Sequence, residues 1–322
     1  MTLSPAPFFE DMAGGPVGGA AWWCATVDDV RIRVGFWPCE AAKGTVILFP
    51  GRTEYIEKYG RTAAALSSRG YATLAIDWRG QGLADRLIED RRVGHVIEFT
   101  DYQHDVAAAL DVARELGAPE PWFLLGHSMG GGIGLRSALE GMPVAACAFT
   151  GPMWGIAMAP AVRPFGMLLP RVAALLGMGT RLAPSTRYEP YVLLSPFQDN
   201  TLTTDEDMYR MMQTQLATEP GLSLGGPSMI WLRESLQECR YLSRQASPDI
   251  PCVTFVGGNE RIIDTSAVHD RMNRWDGGEL QVIPGAQHEV LMEKPAIRNR
   301  VLDRMDELFS QRTRSPAPPK TA

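Results

Sequence analysis

The sequence predicts an α/β fold: a mostly parallel central sheet flanked by helices, with a helical cap inserted into it. Three observations predict it. From Thr45 to Thr150, short apolar runs alternate with amphipathic stretches of helical spacing. Between Gly151 and Ser247 the alternation stops, and prolines, methionines and helical patterns take over. From Cys252 the alternation resumes. Alternation of this kind marks β-α-β units, which bury a parallel sheet between helices.

The elements follow in chain order. Residues 1–20 are rich in Gly and Pro and read as a loose N-terminal arm. Ala21–Val27 and Val30–Trp37 are β-rich runs with Asp28-Asp29 as the turn between them. Thr45–Phe49 is a short apolar strand followed by Pro50-Gly51. Tyr55–Arg69 has helical spacing and stops at Gly70. Ala72–Asp77 reads as a strand, and Arg79-Gly80-Gln81-Gly82 as a turn. Thr100–Leu116 is a helix ended by Gly117, Trp122–Leu125 a strand and Ala145–Thr150 another. After the insertion come the strand Cys252–Val256, a helix Thr265–Trp275, the strand Leu280–Ile283 and a last helix Pro295–Phe309. The division is therefore an α/β core over 21–150 and 248–314 with a helical cap over 151–247. The tail 315–322, rich in Pro and Ala, reads as disordered.

Composition bounds the function. The chain has 322 residues, 45% hydrophobic and 21% charged, enough to bury a large core. A formal net charge of −6 argues against nucleic acid as a partner, because phosphate binding needs a concentrated basic face. Five widely spaced cysteines, with no C-x-x-C pair, fit a reducing compartment and disfavour structural zinc. Met1–Pro16 lacks a basic n-region and carries Glu10 and Asp11, so it does not read as a secretory signal. The uncharged stretch Gly141–Val162 is interrupted by Pro143, Pro152 and Pro160, and reads as a buried strand and loop instead of a membrane span. A cytoplasmic location follows by default. No cofactor and no metal are expected. Gly14, Gly15, Gly18 and Gly19 lack the strand–helix context of a nucleotide site, and His288-Glu289 lacks the second histidine of a zincin motif.

The most informative stretch is Gly126-His127-Ser128-Met129-Gly130. It fits G-x-S-x-G, follows an apolar run and opens a small-residue stretch that can start a helix, the context a nucleophile elbow requires. The serine must hold strained backbone angles there, and flanking glycines remove Cβ atoms that would clash. A serine hydroxyl needs a base and a third group to orient that base. Only His269 and His288 follow Ser128. His269 falls in a predicted helix and reads as a surface residue. His288 follows the strand Leu280–Ile283, in a loop at the carboxyl end of the sheet, and is the candidate base. The acid belongs after the strand Cys252–Val256, where Glu260 and Asp264 compete. Glu260 lies in the loop itself and is favoured; Asp264 precedes Thr265-Ser266 as a helix N-cap and is the alternative. The backbone N–H groups of Met129 and Arg52 are the candidate oxyanion donors, the second because it follows the first core strand.

The runs FPGRTEYIEKYG, IDWRGQGLADR, GHSMGG, GGNERIID and GAQHE together resemble the lysophospholipase and monoacylglycerol lipase branch of the α/β-hydrolase superfamily. The resemblance covers about Gly44–Thr150 and Pro251–Phe309. It implies an α/β-hydrolase fold, Ser128 as nucleophile, His288 as base, Glu260 as acid, and Arg52 and Met129 as oxyanion donors. It also implies hydrolysis of a carboxylic ester of a lysophospholipid or monoacylglycerol. The chain departs from monoacylglycerol lipases in having Pro50-Gly51 where they have His-Gly, and Glu260 where they have Asp.

The insertion supplies material for an acyl slot. Arg163–Met178 is strongly apolar with two arginines, Arg163 and Arg171, and methionines adapt to irregular ligands. It reads equally as an acyl-binding cap that touches the inner face of a membrane or as a helix packed on the core. With Arg181, these arginines are candidates for a phosphate head group or for plain solvated surface. Asp77 is expected to order the loop near the elbow, with no chemical step. Rival readings are a general carboxylesterase, thioesterase or peptidase on the same scaffold, or a non-catalytic binding protein.

Overall fold

The computed structural model describes residues 3–158, 173 and 175–313. Among the described residues, nine strands form one sheet: β1 (Ser4–Ala6), β2 (Ala20–Ala25), β3 (Arg31–Trp37), β4 (Thr45–Phe49), β5 (Ala72–Asp77), β6 (Trp122–His127), β7 (Ala146–Thr150), β8 (Cys252–Gly257) and β9 (Gly278–Ile283). Their spatial order is β1-β2-β3-β5-β4-β6-β7-β8-β9. β1, β2 and β3 join antiparallel, as does β3 to β5, and every pairing from β5 through β9 is parallel.

The parallel strands β4 to β8 are buried on both faces, which is why they read as continuous apolar runs, while the edge strand β9 is only half-buried. In β4, Ile47 and Phe49 join one core, and Val46 and Leu48 join the other. Helices α3 (Tyr102–Glu115) and α4 (Met129–Leu139) and the helix Thr265–Met272 cover the first face. Helix α2 (Gly60–Ser67) and the helix Pro295–Thr313 cover the second. Parallel strands all end at the same edge, so the turns after β4, β6, β8 and β9 gather there.

Two local expectations are corrected. The first is the loose N-terminal arm. Ser4–Ala6 pairs with β2, Ser4 facing Trp23, and Glu10–Ala13 forms the short helix α1 with Ala13 fully buried. The reason is tertiary. Phe8 packs edge-on against Trp37 with centroids 5.7 Å apart, and Arg33 Nη1 donates to the Pro7 carbonyl at 2.8 Å. The second is the helix over 55–69. It is split into a 3-10 turn, Ile56–Tyr59, and α2. Gly60 marks the junction, because a Cβ there would stand 2.1 Å from the Ala13 carbonyl oxygen.

Between β7 and β8 the described residues hold the helices Tyr191–Leu194, Glu206–Thr218 and Met229–Leu242. Asp205 caps the second, accepting from the Asp207 and Met208 N–H groups. Ser228 caps the third through the Trp231 N–H. Most of Arg163–Met178, including Arg163 and Arg171, lies outside the described residues, as does the tail from 314. Arg181 is exposed. All five cysteines are free thiols. Among the described residues, no helix is long and apolar enough to cross a membrane.

Candidate active site

Ser128 sits at the turn from β6 into α4 with φ 51° and ψ −118°. A non-glycine residue holds a positive φ only where its surroundings over-determine it. The surroundings do so tightly. A Cβ on Gly130 would lie 2.0 Å from the Phe49 carbonyl oxygen, and one on Gly126 would lie 2.8 Å from the Gly130 carbonyl. The Ser128 carbonyl accepts N–H groups from Gly131, Gly132 and Met153, which fixes the elbow to the helix and to the next turn.

Three distant side chains meet at this edge. His288 Nε2 lies 2.9 Å from Ser128 Oγ, and His288 Nδ1 lies 2.7 Å from Glu260 Oε2. The second contact assigns the Nδ1 proton to the side facing the carboxylate and leaves Nε2 to accept from the serine. Burial alone would raise the Glu260 pKa. The hydrogen bond and charge of His288, with the Ile262 and Ile263 N–H groups, outweigh it and hold the carboxyl below its ordinary range. Asp264 instead caps the helix Thr265–Met272, accepting from Ser266 N–H at 3.1 Å and Ser266 Oγ at 2.6 Å. His269 is exposed on that helix.

Arg52 and Met129 line one cavity with Ser128 and His288. Among the described residues, neither backbone N–H donates a hydrogen bond within the protein. The Arg52 turn is braced from several sides. Gln81 Nε2 donates to the Gly51 carbonyl at 2.8 Å and to the Glu54 carbonyl at 3.1 Å, and Trp78 Nε1 donates to the Pro50 carbonyl at 2.9 Å. Asp77 orders the neighbouring backbone: its carboxylate accepts from Ile56 N–H, Leu83 N–H and Arg33 Nε. The cavity has a volume of about 470 Å³ and is walled by apolar side chains including Met153, Ile156, Met212, Leu216 and Trp231.

A second cluster lies beneath, and the motif reading missed it. Lys58 Nζ contacts Glu54 Oε1 and stands 2.6 Å from Glu289 Oε1. Glu54 Oε2 also accepts from the Gly51 N–H and the Tyr59 hydroxyl. His127 Nε2 lies 3.3 Å from Glu289 Oε2 and 3.6 Å from Glu54 Oε1, while Nδ1 faces the Thr150 carbonyl at 3.0 Å. The Thr150 carbonyl favours a proton on Nδ1, which also lies 2.9 Å from the Thr150 hydroxyl, and the two carboxylates near Nε2, though not hydrogen-bonded to it, favour a second. Burial opposes that charge on His127, but Glu289 and Glu54 outweigh it and raise its pKa. With His127 protonated, the four charges sum to zero, the condition under which buried charges persist. Glu54, His127 and Glu289 could by spacing hold a cation, their donor atoms lying within 4.8 Å of one another. The Lys58 ammonium already bridges the two carboxylates. The one sequence signal for this cluster was the adjacency of Glu54 and Glu289 to site residues; Lys58 and Glu289 lie 231 residues apart in the chain.

The family described as "Serine aminopeptidase, S33" matches residues 40–295. Lysophospholipase L2 of Escherichia coli (strain K12) is 33% identical over 304 residues, 88% of this chain and 86% of that protein. Monoglyceride lipase of Saccharomyces cerevisiae is 25% identical over 314 residues, 91% and 94% respectively. The crystal structure of a soluble variant of the Saccharomyces cerevisiae monoglyceride lipase with a substrate analog superposes at TM-score 0.71 and 21% identity. That likeness covers 97% of this chain and 100% of that one, and speaks for the fold alone. The chain belongs to the α/β-hydrolase family, in the lysophospholipase and monoglyceride lipase-like branch of ester hydrolases.

Proposed function

We propose that the protein is a serine hydrolase that cleaves a carboxylic ester of a lysophospholipid or monoacylglycerol through an acyl-enzyme. The observation that carries this is the 2.9 Å contact of Ser128 Oγ with His288 Nε2, backed by Glu260 at 2.7 Å and opening on an apolar cavity. Ser128 Oγ attacks the ester carbonyl while His288 Nε2 takes its proton. The Arg52 and Met129 N–H groups stabilise the oxyanion, a contribution of about 3–4 kcal/mol for such a donor. His288 returns the proton to the departing alcohol, then takes one from water, whose oxygen releases the fatty acid.

The substrate class rests on the relatives' names and on the cavity. Each buried methylene of an acyl chain contributes about 0.8 kcal/mol, so an apolar slot favours long chains. The segment 151–247 acts as a cap that supplies much of that slot: Ile156, Val192, Met212, Leu216 and Trp231 come from it. Tyr188, Tyr191, Leu193 and Leu194 are each about 40% exposed, 40 to 44%, around the same segment, which supports a peripheral contact with the inner face of a membrane. Five free cysteines support a cytoplasmic location. An aminopeptidase reading is weaker. It needs a free carboxylate for the substrate ammonium, and the cavity carboxylates Glu54 and Glu289 are engaged by Lys58.

The test is labelling by a fluorophosphonate probe, wild type beside Ser128→Ala, followed by a panel of lysophospholipids, monoacylglycerols and short-chain esters. Labelling confined to wild type and preference for long acyl chains are expected. Absence of labelling would refute catalysis by Ser128, and far faster turnover of short esters would refute the lipid reading.

A further inference from the structure

Arg52 is half-buried and differs from Arg33, Arg79, Arg86 and Arg271 in its partners. Arg33 pairs with Glu57 and Asp77, and Arg79 with Asp28 and Asp105. Arg86 and Arg271 use both terminal nitrogens on carbonyl or hydroxyl oxygens. Arg52 has no carboxylate within ion-pair distance among the described residues, and a single hydrogen bond, Nη1 to the Gly225 carbonyl at 2.8 Å. Its guanidinium carbon lies 5.6 Å from the Trp231 ring centroid, and it lines the cavity that contains Ser128. Burial lowers its pKa to about 10, the mark of a cation short of compensating charge. Its unpaired Nε and Nη2 donors are not sealed from solvent, so an incoming anion can pair with them.

We propose that the Arg52 guanidinium binds the phosphate of a lysophospholipid head group, so that one residue serves both ends of the substrate. This rests on the reading of Ser128 as nucleophile and of Arg52 N–H as oxyanion donor. The spans agree. As many covalent bonds separate the ester carbonyl carbon from the phosphorus of a 1-acyl lysophospholipid as separate the Arg52 amide nitrogen from its guanidinium carbon. With the carbonyl oxygen at the amide, the phosphate comes within reach of the guanidinium. The fork of N–H donors left unused at Nε and Nη2 matches two phosphate oxygens.

The experiment compares wild type, Arg52→Gln and Arg52→Lys, each checked for folding by circular dichroism. The first measurement is the ratio of kcat/KM on a lysophospholipid to kcat/KM on the monoacylglycerol of the same acyl chain. The ratio falls at least tenfold in Arg52→Gln and recovers partly in Arg52→Lys. An unchanged ratio, with both rates falling together, overturns the proposal and leaves Arg52 a brace between turn and cap. The second measurement is competitive inhibition of short-ester turnover by a short-chain alkylphosphocholine, with the alkyl alcohol as control. The alkylphosphocholine inhibition constant rises at least tenfold in Arg52→Gln while that of the alcohol moves less than threefold. Equal shifts for the two ligands overturn the subsite. If wild type cleaves neither lipid yet the alkylphosphocholine shift appears, the subsite stands and the lipid-substrate reading falls. Inhibition by inorganic phosphate as tight as by alkylphosphocholine would assign the site to free phosphate and refute the head group.

Discussion

Lys58 Nζ stands 2.6 Å from Glu289 Oε1, and Glu289 is the residue that follows His288. The same ammonium contacts Glu54, whose other oxygen receives the Gly51 N–H of the turn that carries the proposed oxyanion donor Arg52. The proposed base and that turn are therefore tied to one buried cation.

Breaking that tie leaves two buried carboxylates with His127 as the one remaining cation, so a buried charge goes uncompensated. Lys58→Met is expected to cost about 3–5 kcal/mol of stability, read as a shift in urea midpoint. Adding Glu289→Gln to Lys58→Met removes one of the stranded charges, so the double variant costs less than the sum of the singles. Strict additivity would mean the two groups are not coupled.

The acid assignment is separable from its alternative. Glu260→Gln removes the negative charge facing His288 Nδ1 and can present an amide N–H there instead, and kcat on any ester it turns over is expected to fall by about 10⁴. Asp264→Asn alters a helix cap and costs about 1 kcal/mol or less of stability, with kcat within a few-fold of wild type. Loss of turnover only in the second variant would reverse the assignment.

The pH dependence has a definite sign. The His127 pKa is raised in the folded state above its ordinary 6.5, so its contribution is complete below pH 6.5 and is lost as pH rises through the raised value. Glu289 is held well below its ordinary 4.5: burial opposes this, and Lys58 and His127 override it. Its contribution is present above pH 4.5 and lost as pH falls. The stability difference between wild type and His127→Gln should thus be largest between pH 4.5 and 6.5 and shrink at alkaline pH. Thermal melts across that range measure it, and a difference that grows with pH would contradict a charged His127.

Two glycines offer a contrast. A Cβ at Gly130 meets the Phe49 carbonyl at 2.0 Å, backbone against backbone, so Gly130→Ala is expected to abolish activity and soluble yield together. Gly117 has φ +63° with open space around it, so Gly117→Ala costs only about 1 kcal/mol, seen as a small drop in Tm. Comparable behaviour of the two variants would show that strain, not the Phe49 carbonyl, governs the elbow.

Much of the core was legible because its signals are local. β4 and β5 fall on the residues their apolar runs mark, and the turns after β6, β8 and β9 carry Ser128, Glu260 and His288 as chain order suggests. The N-terminal arm was misread because Gly and Pro content reports backbone freedom. It does not report that Phe8 and Ala13 find partners on Trp37 and Gly60. The 55–69 helix was read as unbroken because its apolar spacing does not distinguish the 3-10 turn Ile56–Tyr59 from the α-helix that follows it.

By itself the sequence determined which strands are buried on both faces, where the chain turns sharply and which side chains stand at the strand ends. Hydrophobic period and turn chemistry act over a few residues and leave their mark in order. Only the tertiary structure decided that Glu54, Lys58, His127 and Glu289 share one buried cluster, and that Arg52, lining the cavity, meets no carboxylate among the described residues. Burial of charge is settled by what lies opposite in space, and no local pattern encodes a partner that arrives from a distant part of the chain.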